Sequence, residues 1–314
     1  MLYHHSMKLY KNWALATFIL SFIVILAGGI VRTTQSGMGC PDWPTCFGKW
    51  IPPINASQLP PDFEKYLGKQ DIDHQFNVYH TWVEYINRLV GVLLGLFGLI
   101  QFVIAFRHRR TERSGFRLSL LFLVVVILTG LFGAIVVKYN LAHLSITIHL
   151  FFAFLLVLVQ LLVCMQLYKR RNTALVENNI KNLFLATAIA FIIHIILGTL
   201  VRIYVDDISK GLNFENRELW LAALPTIFII HRTFSWIVLI LVALSTWKSL
   251  NNPLLKQKAL GLLGITVLNV VAGIILFYAD MPAWAQPLHL LLACLGITQC
   301  AFIIFSLKAN QINS

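Results

Sequence analysis

Three histidines inside apolar segments are the residues whose type and spacing could do chemistry. His149, His231 and His289 each stand near one end of a long apolar stretch. Ionisable side chains within a membrane are costly, so they mark candidate functional sites. Two imidazoles carried by two helices of one bundle can ligate a single haem iron from opposite sides. His231 and His289 therefore predict an iron site, although a lone helical His is more often a packed core residue.

An internal repeat pairs these histidines with residues in the other half of the chain. The matching positions are occupied by Gly, Arg and His rather than by interchangeable apolar residues, and they run in one order: GGIVR (28–32) with GTLVR (198–202), Asn87-Arg88 with His231-Arg232, and Gly133–His149 with Gly273–His289. This pattern predicts two four-helix halves related by a parallel repeat. Chance similarity of apolar segments is the alternative.

The first half differs from the second at two positions of this repeat. Asn87 stands where the repeat predicts His, and an amide is a poor ligand for haem iron, so His149 would be the single protein ligand on an open iron face. His80 is either a loop residue or a displaced ligand. Glu84 replaces Phe228 and predicts proton transfer or stabilisation of a cation. The alternative is an acid on the surface of a helix end.

Four arginines and two cysteines complete the candidate site. The arginines stand near helix ends on one side and would pair with propionate carboxylates, or else extend to lipid headgroups: Arg32, Arg88, Arg202 and Arg232. Cys40 and Cys46, separated by Pro and Asp in CPDWPTC, suggest a disulfide in an oxidising compartment. Two free thiols are the alternative.

The composition places these residues in a membrane protein. Of 314 residues 58% are apolar and 12% are charged, whereas soluble proteins carry about 25% charged residues. Eight stretches have the length to cross a bilayer, roughly 14–34, 82–106, 117–137, 144–167, 183–204, 222–246, 259–278 and 285–307. We expect an all-α polytopic protein of two pseudo-symmetric four-helix bundles, residues 1–176 and 177–314.

The distribution of Lys and Arg predicts the orientation. Fifteen lie on one side, namely Lys8, Lys11, Arg107, Arg109, Arg110, Arg113, Arg117, Lys169, Arg170, Arg171, Lys181, Lys248, Lys256, Lys258 and Lys308. The other side has six, namely Lys49, Lys65, Lys69, Lys138, Lys210 and Arg217. Both termini should therefore be cytoplasmic, with 35–81, 138–143, 205–221 and 279–284 facing outward. The net charge of +12 reports this orientation and does not indicate nucleic acid.

The motifs together resemble the haem A synthase family. The matching features are GGIVRTTQSGMGCPDWPTC, EYINR, His149, IHR at 230–232 and PLHLLLA at 287–293. The resemblance implies oxidation of a methyl group of haem O to the formyl group of haem A, for terminal oxidase assembly. It implies haem b on His231 and His289, substrate haem in the first half, a catalytic Glu84 and a paired-cysteine motif. The family usually has His where this chain has Asn87.

The same resemblance sets the expected surroundings. An uncleaved first helix without a transit peptide favours the cytoplasmic membrane of a bacterium. The expected partners are haem O, the prenyltransferase that makes it, an electron acceptor, the lipid bilayer and a second copy of the chain. The resemblance leaves open the acceptor and the source of the formyl oxygen.

Three other functions compete with this interpretation. A haem prenyltransferase needs Asp-rich motifs for Mg²⁺-diphosphate, and the one adjacent acid pair here is Asp206-Asp207. A cytochrome b that only transfers electrons would explain the pair His231 and His289 but not Glu84. A transporter built on a parallel repeat would not need His residues at matched depth.

Overall fold

Eight long helices dominate the computed structural model, which describes residues 2–67, 76–168, 174–222 and 225–309. The helices are α1 (Leu2–Thr33), α3 (Val78–Arg107), α4 (Arg113–Lys138), α5 (His143–Leu167), α6 (Asn178–Gly211), α8 (Thr226–Ser249), α9 (Pro253–Tyr278) and α10 (Ala285–Phe305). Each is long and apolar enough to cross a membrane. The predicted all-α class and its eight spans are confirmed.

The helix boundaries differ from the predictions where a helix continues beyond its apolar part. α1 begins at Leu2 instead of residue 14, and α6 runs to Gly211 instead of ending at 204. The segment 203–210 contains no Gly or Pro, so nothing in it stops the helix. The predicted loop 205–221 is consequently helical over most of its length, because the short helix α7 (Arg217–Ala222) follows α6.

Two short strands were not predicted. β1 (Ala174–Val176) pairs in parallel with β2 (Leu307–Ala309), so the last long helix ends at Phe305 and not at residue 307. Val176 is buried in the core of the second half. Four of the cations used to predict orientation, Lys69, Lys169, Arg170 and Arg171, lie outside the described residues.

The chain divides into two compact units, Met1–Tyr168 and Lys169–Ser314. In the first unit α1 and α4 each pack against both α3 and α5, which closes a ring in which α3 stands opposite α5. In the second unit α6 and α9 each pack against both α8 and α10, so α8 stands opposite α10. The same ring order therefore occurs in each unit. The assignment of substrate haem to the first half and haem b to the second half remains a prediction.

Two buried side-chain amides join α3 to α5 in the first unit, at the end away from Glu84 and His149. The side chains of Gln101 and Gln160 are buried and donate to each other, at 3.1 and 2.7 Å. Gln160 also donates to the carbonyl of Ala14 at 2.8 Å. Because a bilayer offers no water to these groups, each amide must find its partners inside the bundle.

We expect Gln101→Leu to lower the free energy of unfolding by about 1–2 kcal/mol, because it leaves the Gln160 amide partly unsatisfied. The double variant Gln101→Leu/Gln160→Leu should lose less than the single variant, because no unpaired amide remains. Denaturant unfolding in detergent micelles measures both. A double variant that loses at least as much free energy of unfolding as Gln101→Leu would contradict the reciprocal hydrogen bonds.

Candidate functional site

Glu84 is buried in the second turn of α3, with 4% of its surface exposed. The backbone N–H of Cys40 donates to its Oε2 atom at 2.6 Å. Arg88, one turn further along α3, donates from Nε and Nη2 to Oε1 at 3.2 and 2.6 Å. The interpretation of Glu84 as a surface acid is wrong. Both carboxylate oxygens have donors, and an ion pair buried in this way is costly unless its bonds are satisfied.

Arg88 joins α3 to the loop that follows α1. Besides its bonds to Glu84, it donates from Nη1 to the carbonyls of Asp42 and Thr45 at 2.6 and 3.0 Å, and from Nη2 to the carbonyl of Cys40 at 2.7 Å. All five N–H groups of a guanidinium are thereby engaged by the protein. The predicted contact of Arg88 with a haem propionate would require Arg88 to give up one of these five hydrogen bonds.

The loop itself is held by the predicted disulfide, which is confirmed between Cys40 and Cys46. The carboxylate of Asp42 accepts hydrogen bonds from the N–H groups of Phe47 and Gly48 at 2.6 and 2.9 Å, and from the hydroxyl of Thr45. Phe47 and Gly48 both have positive φ angles, which such a tight turn requires. The disulfide and the hydrogen bonds to Asp42 therefore fix the conformation of the loop.

Gly39 allows this loop to lie directly on the first turn of α3. A Cβ atom at Gly39 would fall 2.2 Å from the carbonyl oxygen of His80. The hydroxyl of Thr81 donates to the Gly39 carbonyl at 3.0 Å. His80 therefore belongs to α3 and is not the loop residue that we favoured from the sequence. The close approach of the two backbones sets the position of Cys40 beside Glu84.

His149 and His289 are held in the same way, each within its own unit. The Nδ1 atom of His149 donates to the carbonyl of Thr129 at 3.1 Å, and that of His289 donates to the carbonyl of Asn269 at 3.1 Å. The ring of His149 packs on Gly133 and the ring of His289 on Gly273, where an added Cβ would meet Cε1 at 3.4 Å in both cases. With Nδ1 protonated, the Nε2 lone pair of each ring is available to a metal.

His231 is held differently. Its ring packs against Gly198, with Cε1 3.2 Å from the place of an added Cβ. It also stacks on the ring of His194, with centroids 4.3 Å apart and planes 20° apart. Its Nδ1 atom is buried and has no hydrogen-bond partner among the described residues. His289 stands on α10, the helix opposite α8 in the ring of the second unit.

The first unit is open at the position that corresponds to His231. Gly28 is the counterpart of Gly198. A Cβ atom built on Gly28 meets no heavy atom of the described residues within 4 Å, apart from its chain neighbours and the backbone of its own helix. Asn87 is half-buried on α3. It lies nine residues after the start of the helix, so it does not open the helix as we expected. Glu84 and His149 each lie six residues after the start of their helices, and so at similar depth, at about 1.5 Å per residue.

The other three predicted arginines occupy different surroundings. Arg32 lies in the last turn of α1. Arg202 forms an ion pair with Asp206 at 3.3 Å, and it stands inside α6 and not at its end, because the helix continues to Gly211. Arg232 is exposed and lies over the rings of Phe228 and Phe277, at 5.8 and 5.4 Å.

The comparisons with known proteins decide the family. The family model described as cytochrome oxidase assembly protein, COX15-CtaA, matches residues 11–300. The chain belongs to this family. The match covers both units and includes every candidate site residue named above.

Two of the curated relatives are similar along most of their length, and a third is similar over about half of it. A protein of Flavobacterium psychrophilum named heme A synthase is 25% identical over 313 residues, covering 88% of this chain and 91% of the relative. One of Shewanella oneidensis with the same name is 26% identical over 292 residues, covering 84% and 86%. A third, from Neorickettsia sennetsu, is 31% identical over 164 residues, covering 48% and 50%.

Sequence reasoning missed two contributors to the site. Asp42 was quoted within a motif but given no role, although Asp followed by turn residues favours such side-chain capping. His194 has Val24 as its counterpart in the repeat, so nothing in the sequence pattern places it beside His231. The ion pair between Glu84 and Arg88 could have been found from their spacing of four residues along a helix.

We expect Gly39→Ala to detach the loop from α3, because the added methyl group cannot fit against the His80 carbonyl. Limited proteolysis should cut the 35–67 segment faster in this variant than in the parent. Gly91→Ala, where the added Cβ meets nothing within 4 Å among the described residues, is the matched control. Equal cutting of all three proteins would contradict the close approach.

Proposed function

We propose that this multi-pass membrane protein is a haem A synthase, which oxidises a methyl group of haem O to the formyl group of haem A. One observation carries the proposal: Glu84, buried and fully hydrogen-bonded, stands six residues into α3, and His149 stands six residues into α5, the opposite helix of the first unit. The name of the curated relatives supports it. An electron-transfer cytochrome would need His231 and His289 of the second unit, but Glu84 would have no function in it.

The second unit fits a resident haem b. His231 and His289 stand on opposite helices of the ring, and each packs its Cε1 edge on a glycine, which leaves room beside both rings. The buried Nδ1 of His231, Nε2 of His194 and Oδ1 of Asn269 have no hydrogen-bond partner among the described residues. We assign His231 and His289 as axial ligands. When bound, the haem supplies one-electron redox chemistry.

The first unit holds the substrate in this proposal. His149 has its Nε2 lone pair available for the substrate iron and occupies the position in the repeat that His289 has in the other unit. A Cβ built on Gly28 meets no atom of another described element within 4 Å, whereas its counterpart Gly198 carries the His231 ring. His149 is then the single protein ligand of the substrate iron, and the opposite face remains open. Arg32 is the first-unit arginine we assign to the substrate carboxylates, and Arg202 and Arg232 those of the second unit.

In this proposal Glu84 stabilises positive charge on the substrate and accepts a proton. Oxidation of a methyl group removes electrons and protons from the carbon and builds positive charge there. A carboxylate fixed in a dry site stabilises such charge and can accept a proton without reorganising. The Arg88 guanidinium and the Cys40 N–H hold this carboxylate in one orientation. The loop between α1 and α3 thereby positions the catalytic group.

The orientation and the surroundings are part of the proposal. The excess of Lys and Arg on one side favours cytoplasmic termini, with the disulfide loop outward, in the cytoplasmic membrane of a bacterium. The haem O-producing prenyltransferase would deliver the substrate, and a separate acceptor would remove the electrons. A second copy of the chain is a further candidate partner.

We expect Glu84→Gln to reduce haem A formation at least tenfold, because the amide cannot accept a proton or balance positive charge. Haem extraction and chromatography of membranes that also make haem O provide the measurement. Glu112→Gln, a buried acid next to α4, should leave the product unchanged. Undiminished haem A in Glu84→Gln would remove the catalytic role.

We expect Asn87→His to place a second imidazole on the substrate iron, in the space above Gly28. The absorption and paramagnetic resonance spectra of protein purified with haem O should then gain a second bis-imidazole signal. Adding Gly28→Leu fills that space and should abolish the new signal. A bis-imidazole signal from the first unit of the parent protein would contradict the open iron face.

A further inference from the structure

His194 lies in the middle of α6 and contacts one proposed haem ligand face to face. Its ring is 4.3 Å from that of His231, with 20° between the planes, and 6.1 Å from that of Phe234. Its Nε2 atom is buried without a hydrogen-bond partner among the described residues.

The stacked contact adds to the device that orients the other two histidines. A histidine that ligates a metal is usually fixed by a hydrogen bond from its second ring nitrogen. His149 and His289 have that bond at 3.1 Å, each to the carbonyl of the residue four before the glycine under the ring. The corresponding residue for His231 is His194, and the Nδ1 atom of His231 lies beside its main chain without the close, well-aligned bond that the other two histidines have. Gly198 supports one edge of the His231 ring, and the face of the ring rests on His194.

The internal repeat gives an independent argument. In the first unit the counterpart of His231 is Asn87 and the counterpart of His194 is Val24. The imidazole and its stacking partner are thus present together in one half and absent together from the other. Plain core packing does not require such a pairing, because Val24 fills the same place in α1 beside an amide.

We propose that His194 is a positioning residue that sets the plane of the His231 imidazole by ring stacking. The inference rests on the proposed haem b site and adds a third histidine to it. His194 acts through His231. An aromatic ring that keeps the stack should therefore preserve the function, whereas an aliphatic side chain should not.

The experiment compares His194→Leu with His194→Phe in the full-length protein purified in detergent. The paramagnetic resonance g-values of a bis-imidazole haem depend on the angle between the two imidazole planes, so they report the orientation of the His231 ring directly. We expect His194→Leu to shift the largest g-value and to lose haem b about tenfold faster to a competing apoprotein, the low end of the effect of such orienting groups. His194→Phe should keep both parent values.

The outcomes separate this inference from the proposed function. Parent g-values in His194→Leu, or equal shifts in the Leu and Phe variants, overturn the positioning role and leave the haem b site standing. Parent protein without a bis-imidazole signal overturns the haem b site and this inference with it. Should His194→Leu not fold, His194→Val, which copies Val24, is measured with the same expected shift.

Discussion

The orientation of imidazoles inside two helical rings is the constraint on which the rest of the structure depends. An unpaired polar group is costly in a bilayer, so a histidine that serves as a ligand there is held best by a hydrogen bond from its second ring nitrogen. His149 and His289 meet this requirement with the same bond to a carbonyl twenty residues earlier. The short connections after α4 and α9 bring the two helices of each pair side by side and make that bond possible.

The two units use this shared scaffold differently because a few side chains differ. The second unit has a ring on each of two opposite helices, and His194 lies against one of them. The first unit replaces one ring by Asn87 and adds Glu84, which is held by Arg88 and by the backbone of Cys40. The disulfide loop is thus part of the proposed catalytic machinery. In the proposed function, these differences place a resident cofactor in the second unit and the substrate in the first.

Much of this architecture could be predicted from the sequence. Apolar length gave the eight spans, and the recurrence of Gly and His at fixed spacing gave the candidate ligands. The helix ends could not be predicted, because hydropathy marks the apolar part of a helix and not where its hydrogen bonds stop, as the extension of α6 to Gly211 shows.

Contacts between segments distant in sequence were also beyond prediction. The bonds from Arg88 to the carbonyls of Cys40, Asp42 and Thr45 depend on how the loop folds back on α3, which no periodicity encodes. The stack of His194 on His231 depends on the rotation of two helices about their axes. Neither contact leaves a local signature in the sequence.

The most direct test of the account compares His149→Ala with His289→Ala, two rings held by equivalent bonds in different units. The paramagnetic resonance spectrum and the haem content of each purified protein are measured. The account predicts that His289→Ala loses the bis-imidazole signal, whereas His149→Ala keeps it and loses only added haem O. If both variants lose the same signal, the two units do not hold separate haems, and the account is contradicted.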